Sequence, residues 1–236
     1  MKKLLVITGG TKGIGLALVR RFAAAGFDIV TCSRSAERLT GLTKNITEEY
    51  PGTDILVKEA DLADKNQTFE FISFVQSLGR TPDVLINNAG LFFPGGVIDE
   101  PEGNLEKLMQ LNMYSAYHLT RGLINDMISR KSGHIFNICS TASITAYSNG
   151  GAYSISKFAL YGMTKVLREE MKKYNIRVTA VLPGATLTDS WAGTDLPAER
   201  FMKPEDVAES VFNAWSLSAG TVVEDLIIRP QLGDIP

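Results

Sequence analysis

The chain has 236 residues, 24 Lys and Arg against 26 Asp and Glu, and 44% hydrophobic side chains. This balance excludes dominant disorder, which needs low hydrophobicity or a large net charge. The formal charge of −2 argues against a dedicated nucleic-acid or membrane-surface binder.

A chain of this length buries roughly 70–75% of its unfolded surface, so its core needs no metal or disulfide staple. One large α/β domain over residues 1–236 is expected. The opening MKKLLVITGG has a Lys pair and a short apolar run that ends in a Gly-rich turn. It reads as a first strand over 4–8 rather than as a leader peptide, and a cytoplasmic protein is expected. GIGLALVRRFAAAG (13–26) carries Ile14, Leu18, Val19 and Phe22 at helical spacing and stops at Gly26. DIVTCS (28–33) reads as a second strand. Ser35 is a good N-cap for a helix over 35–50, with Arg38 rather than an acid three residues on. A third strand is read over 54–62, then a helix over 65–79 with Phe69, Ile72 and Val75 on one face. VLINNAG (84–90) is a fourth strand, followed by a long helical segment over 104–130. HIFNICS (134–140) is the fifth strand, 153–174 a helix and RVTAVLPG (177–184) the sixth strand. Pro204 suits the first turn of the next helix, and LIIRP (226–230) offers a seventh strand.

Strands alternating with helices predict a parallel sheet covered on both faces, and apolar runs without strict alternation agree. Cys32 and Cys139 lie in separate apolar runs and read as buried thiols in separate strands. His118 and His134 lack metal-ligand spacing, and no metal site is expected. The irregular stretch 186–203, with Gly193 and Pro197, reads as a substrate lid.

The first strand runs through TGGTKGIG (8–15) directly into a helix, with Gly9, Gly13 and Gly15 spaced along the turn. Small residues let the chain turn tightly and let a pyrophosphate approach the helix N-terminus, where free N–H groups and the helix dipole favour an anion. The spacing is GxxxGxG rather than GxGxxG, and its strand–turn–helix setting carries the reading. An NAD site offers a carboxylate to the adenosine ribose at the end of the second strand. That end is Ser33-Arg34, with no acid. A guanidinium there suits a 2′-phosphate, and Lys12 in the turn is a second candidate. Residues 1–44 hold eight basic and two acidic side chains, a net +6. NADP(H) is therefore expected over NAD(H).

Tyr153 and Lys157 are four apart on a predicted helix and share a face. Ser140 closes the fifth strand, at the strand carboxyl ends where open α/β folds bind ligands. A lysine beside a phenol is expected to lower its pKa toward the working range. Such a tyrosine donates a proton to a carbonyl oxygen as hydride reaches its carbon, and Ser140 steadies the oxyanion.

Taken together, these motifs resemble the short-chain dehydrogenase/reductase family in its compact form. TGGTKGIG resembles the family's cofactor turn, in which Gly9, Thr11, Lys12, Gly13, Ile14 and Gly15 would meet the dinucleotide. Asp61, followed by Leu62, matches the acid that meets the adenine amino group, and NNAG, with Asn88, Ala89 and Gly90, matches a motif on the adenosine side. Asn112, Ser140, Tyr153 and Lys157 match the catalytic tetrad. PGATLT resembles the segment bordering the nicotinamide, through Pro183, Gly184, Thr186 and Thr188. The resemblance implies a doubly wound (Rossmann) three-layer fold with seven parallel strands in the order 3-2-1-4-5-6-7. It implies Tyr153 as acid/base, Lys157 on the nicotinamide ribose, and Asn112 holding a water that relays protons to Lys157. It also implies a homodimer or homotetramer through helices 104–130 and 152–174.

The ending GTVVEDLIIRPQLGDIP is similar to that of bacterial sepiapterin-reductase-like carbonyl reductases and departs from the common VDGG ending. It weakens the alternative of a 3-oxoacyl-(acyl-carrier-protein) reductase. A second alternative is a non-catalytic nucleotide-sensing protein. Phe92, Phe93, Tyr147 and Trp191 are expected on an aromatic pocket rim, and Asp234 near a polar substrate group if the tail folds over the site.

Overall fold

A computed structural model describes residues 2–235. The strands are β1 (Leu4–Thr8), β2 (Asp28–Ser33), β3 (Ile55–Glu59), β4 (Val84–Asn87), β5 (Gly133–Ile138), β6 (Ile176–Pro183) and β7 (Asp225–Ile228). They form one sheet in the order β3-β2-β1-β4-β5-β6-β7, and every pair is parallel.

β1 is buried along its whole length because helices cover both faces of the sheet. Leu5 and Ile7 point into a core with α1 (Gly13–Ala24), α2 (Ala36–Glu49) and α7 (Pro204–Ser216). Leu4 and Val6 point into the opposite core, with α3 (Lys65–Ser77) and α5 (Ser115–Arg130). The remaining helices are α4 (Asn104–Met109) and α6 (Gly151–Met171). Strand order reverses between β2 and β4, either side of β1, and opens a crevice beyond the strand carboxyl ends.

Several boundaries differ from the sequence reading. β4 stops at Asn87 rather than 90 because the next two amides turn to the Thr8 hydroxyl. The segment 104–130 is not one regular helix: residues Gln110–Tyr114 form a π-helical turn between α4 and α5. Ser35 caps α2 as expected, accepting the Arg38 amide. α3 is capped by Asp64, and it buries Phe71, Ile72 and Val75 while Phe69 is exposed. Phe69 shares the helical spacing, but Phe71 lies nearer the centre of the buried stripe. Cys32 is buried in β2, whereas Cys139, also buried, lies just past β5.

Candidate active site

β1 passes into a turn that only small residues can make. Gly9 and Gly13 have φ of +67° and +53°, in the left-handed region that favours glycine. A Cβ on Gly15 would lie 2.2 Å from the Gly9 carbonyl oxygen, and one on Gly10 would lie 2.5 Å from the Thr31 hydroxyl. α1 starts after Lys12 with no side-chain cap and no acid in its first turn. Its leading N–H groups therefore face outward for an anion. Thr8 accepts the Asn88 and Ala89 amides, each at 2.9 Å, and Asn88 Nδ2 donates to the Thr8 carbonyl at 2.8 Å. These bonds place NNAG beside the glycine turn. The cradle fits a dinucleotide pyrophosphate: it is glycine-lined and uncapped, and the first turn of α1 holds no acidic residue.

Beside it, Thr11 Oγ1 donates to Ser33 Oγ at 3.3 Å. Arg34 is exposed and enters no ion pair among the described residues. Lys12 differs. Its ammonium pairs with Asp189 at 2.6 Å, and that bond holds the Asp189 carboxyl below its ordinary range. Thr188, next to Asp189, also meets the turn, 3.1 Å from where a Gly13 Cβ would stand. Asp61 spends one carboxylate oxygen on the Ala63 amide at 3.0 Å, and Leu62 is buried. Gly184 donates to Ile228 O at 2.8 Å, which fixes the Pro183-Gly184 end of β6 against β7. Thr186 bridges to Met202, so the stretch 186–203 is tied at both ends, with Phe201 and Met202 buried.

Ser140 follows β5 by two residues. Its hydroxyl accepts the Ala142 amide at 3.1 Å, and its own amide donates to Ser143 Oγ at 3.2 Å. This reciprocal pair fixes the hydroxyl on the side of the Tyr153 phenol, whose ionised form it favours. One turn along α6, Lys157 is buried, with Nζ donating to Ile138 O at 2.8 Å and lying 5.8 Å from the Tyr153 ring centre. Burial pushes Lys157 down to about 8. It pushes the Tyr153 phenol up, against the pull of the Ser140 bond. The lowering of the phenol expected from Lys157 does not emerge: the cost of burying a phenolate sets the direction, and the Ser140 hydroxyl is the group that opposes it.

Gly90 brings the NNAG backbone against the same group, since a Cβ there would lie 3.3 Å from Asn112 Oδ1 and 3.4 Å from Lys157 Nζ. Asn112 lies inside the π-helical turn. Its Oδ1 accepts the Leu91 amide at 2.8 Å, and Nδ2 donates to Leu91 O at 3.0 Å and to Ser156 Oγ at 2.9 Å. Both amide hydrogens are thus used within the protein. The side chain braces the β4 loop against α6. Ser156 was not singled out from the sequence. It reads as one more polar helix residue, and only the fold brings it against Asn112, where its Oγ also donates to Tyr153 O at 2.7 Å.

The tail does fold over this end. Tyr147 donates to Asp234 Oδ2 at 2.5 Å and lies 3.1 Å from Thr141 Oγ1. Arg229 pairs with the same carboxylate, and Arg200 donates to the Asp234 carbonyl at 3.3 Å. Burial presses the Asp234 carboxyl upward, but Tyr147 and Arg229 hold it below its ordinary value. Phe92 packs edge-on to the Tyr153 ring at 4.9 Å. Trp191 instead packs on Phe201 within 186–203, and Phe93 is half-buried in the loop after β4. His118 is half-buried on α5, its ring 5.3 Å from Phe69, and His134 is buried with Nε2 on Thr179 at 2.8 Å.

Comparison with known proteins agrees with this geometry. The short chain dehydrogenase family profile matches residues 3–197. The chain is 36% identical over 244 aligned positions to the sepiapterin reductase of Chlorobaculum tepidum, covering all of this chain and 99% of that one. It is 30% identical to a 3α-hydroxysteroid dehydrogenase of Mediterraneibacter gnavus, over 95% and 94% of the two chains. A metagenomic short-chain oxidoreductase solved in complex with NADP superposes with a TM-score of 0.84 at 28% identity, over 97% of each chain. L-sorbose reductase from Gluconobacter frateurii, solved with NADPH and L-sorbose, gives a TM-score of 0.88 at 28% identity, over 97% and 95%. Sequence likeness from end to end and close superposition on solved relatives leave one assignment: the chain belongs to the short-chain dehydrogenase/reductase family of oxidoreductases.

Proposed function

We propose that this chain is an NADP(H)-dependent carbonyl reductase that interconverts a ketone or aldehyde and the corresponding alcohol. The observation that carries the reading is the meeting of Ser140, Tyr153 and Lys157 beyond the carboxyl end of β5, beside an uncapped, glycine-lined helix start. The cofactor, when bound, supplies or takes the hydride. The turn 9–15 holds its pyrophosphate, Arg34 its 2′-phosphate and Asp61 its adenine. Asn88, Ala89 and Gly90 line its adenosine side. Pro183, Gly184, Thr186 and Thr188 border its nicotinamide, and Lys157 meets the ribose. NADP(H) over NAD(H) is supported by the absence of an acid at the end of β2, by the exposed Arg34, and by relatives solved with NADP or NADPH.

Tyr153 acts as the acid in reduction. Burial keeps its phenol protonated, so it gives its proton to the carbonyl oxygen as negative charge develops there, while Ser140 donates a hydrogen bond to the same oxygen. Lys157 then steadies the phenolate left behind. Likeness to a sepiapterin reductase, together with Phe92 and Tyr147 at the site, supports a planar ketone, and sepiapterin is the first to try. The segment 186–203 serves as the lid over it. Two chains pair through α5 and α6.

The test is purified protein with NADPH against sepiapterin, diketones and 3-oxoacyl thioesters. Tyr153→Phe removes the acid, and kcat is expected to fall roughly 10²- to 10⁴-fold with NADPH affinity unchanged. Equal turnover in the variant rejects this mechanism. NADPH binding without turnover of any substrate marks a nucleotide-sensing protein instead.

A further inference from the structure

We infer that Glu100 is a positioning residue for Tyr153: from the loop after β4 it supplies the cap that the first turn of α6 lacks. The inference rests on the proposed reading only for what Tyr153 does.

α6 begins at Gly151, behind Gly150, and has no side-chain cap of its own. Its first N–H groups have no partner within the helix. Glu100 fills the gap from 52 residues away, with Oε2 accepting the Ala152 amide at 3.2 Å. Ala152 immediately precedes Tyr153. A carboxylate is the fitting group there, because the helix start concentrates unpaired donors and positive potential.

The rest of the loop is built to hold that carboxylate in place. Gly96 O accepts the Glu100 amide at 2.9 Å, and Asp99 Oδ1 accepts the Gly96 amide at 3.0 Å, which closes a tight turn behind Glu100. Gly95 donates to Asn149 O at 3.2 Å, just ahead of α6. Gly151 permits the approach. It has a φ of +26°, and a Cβ on it would lie 2.5 Å from Gly95 O and 3.0 Å from Glu100 Oε2. From the same loop, Phe92 meets the Tyr153 ring edge-on at 4.9 Å. The loop therefore grips the catalytic turn by a carboxylate, a backbone bond and an aromatic ring. The first of these alone reaches the amide next to Tyr153.

Glu100 forms no hydrogen bond or ion pair with the glycine turn 9–15, so its loss should act on the acid and not on the cofactor. Glu100→Ala is expected to lower kcat for carbonyl reduction about tenfold, because a small displacement of a reacting group is costly. The KM for the carbonyl should change less than kcat, and the NADPH Kd, read by fluorescence titration, should stay constant. Glu100→Gln keeps an oxygen for the Ala152 amide and should restore most of kcat. In the cofactor-free protein, the Ala152 and Tyr153 amides should exchange hydrogen about tenfold faster in Glu100→Ala than in wild type or Glu100→Gln. An unchanged kcat in Glu100→Ala overturns the inference. So does unchanged exchange at Ala152, or a loss of NADPH affinity in step with kcat. If the wild-type protein reduces no carbonyl, the proposed function fails, and the exchange measurement still decides whether Glu100 holds this turn.

Discussion

Burial moves the protons of Tyr153 and Lys157 in opposite directions although they stand one helical turn apart. The phenol is pushed up and the ammonium down to about 8, because withdrawal from water disfavours the charged form of each. That balance was not legible in the sequence. The Tyr-x-x-x-Lys spacing shows that the two share a face, but not how deeply the face is buried. Arg34 and Lys12 teach the same lesson. Both read as phosphate ligands, and the fold leaves Arg34 exposed while Lys12 pairs with Asp189 across 177 residues. Arg34→Asp is therefore expected to cost NADPH affinity about 2 kcal/mol, roughly thirtyfold, through lost charge-assisted hydrogen bonds. Kd values for NADPH and NADH should converge or invert. If NADPH remains as strongly preferred, Lys12 exchanges Asp189 for the phosphate.

Helix and strand positions came out of periodicity, while their ends and interruptions came from long-range bonds. The segment 104–130 has an unbroken helical pattern, yet it contains a π-helical turn at Gln110–Tyr114. No local propensity asks for that turn. It coincides with Asn112 being held by Leu91 and Ser156, and single π-helical turns within α-helices are frequent at functional sites. The outer faces of α5 and α6 also carry a message. Phe158 and Val166 are 44% and 60% exposed on α6, either side of Gly162, around which a Cβ would meet nothing. Tyr114, at the end of the π-helical turn, and Tyr117, in the first turn of α5, are exposed as well. Apolar stripes like these suit the proposed pairing of two chains. Sedimentation should give at least a dimer at micromolar concentration, and Phe158→Glu with Val166→Lys should shift it to monomer. A monomeric wild-type protein contradicts the pairing.

At the scale of the whole molecule, the buried Lys157 taxes the fold in a pH-dependent way. The unfolded chain holds this proton up to 10.5 and the folded chain only to about 8. Below pH 8 the full cost of burying the ammonium is present. Between about 8 and 10.5 the unfolded state binds more protons, so stability rises with pH. The shift corresponds to about 3 kcal/mol. Urea unfolding of cofactor-free wild type and Lys157→Met should show the variant's advantage at pH 7.5 shrinking by pH 9.5. A pH-independent difference refutes the assignment. The sequence by itself determined the layered architecture, since apolar runs spaced by amphipathic helices admit a parallel sheet covered on both faces. It also singled out Ser140, Tyr153 and Lys157 as the candidates for the proposed chemistry, because residue types at fixed spacing after strands are local facts. Only the tertiary structure decided which of those groups are charged, braced or paired. Protonation and bracing depend on burial and on partners such as Asp189, Ser156 and Glu100, which lie far away in the chain and carry no local signal.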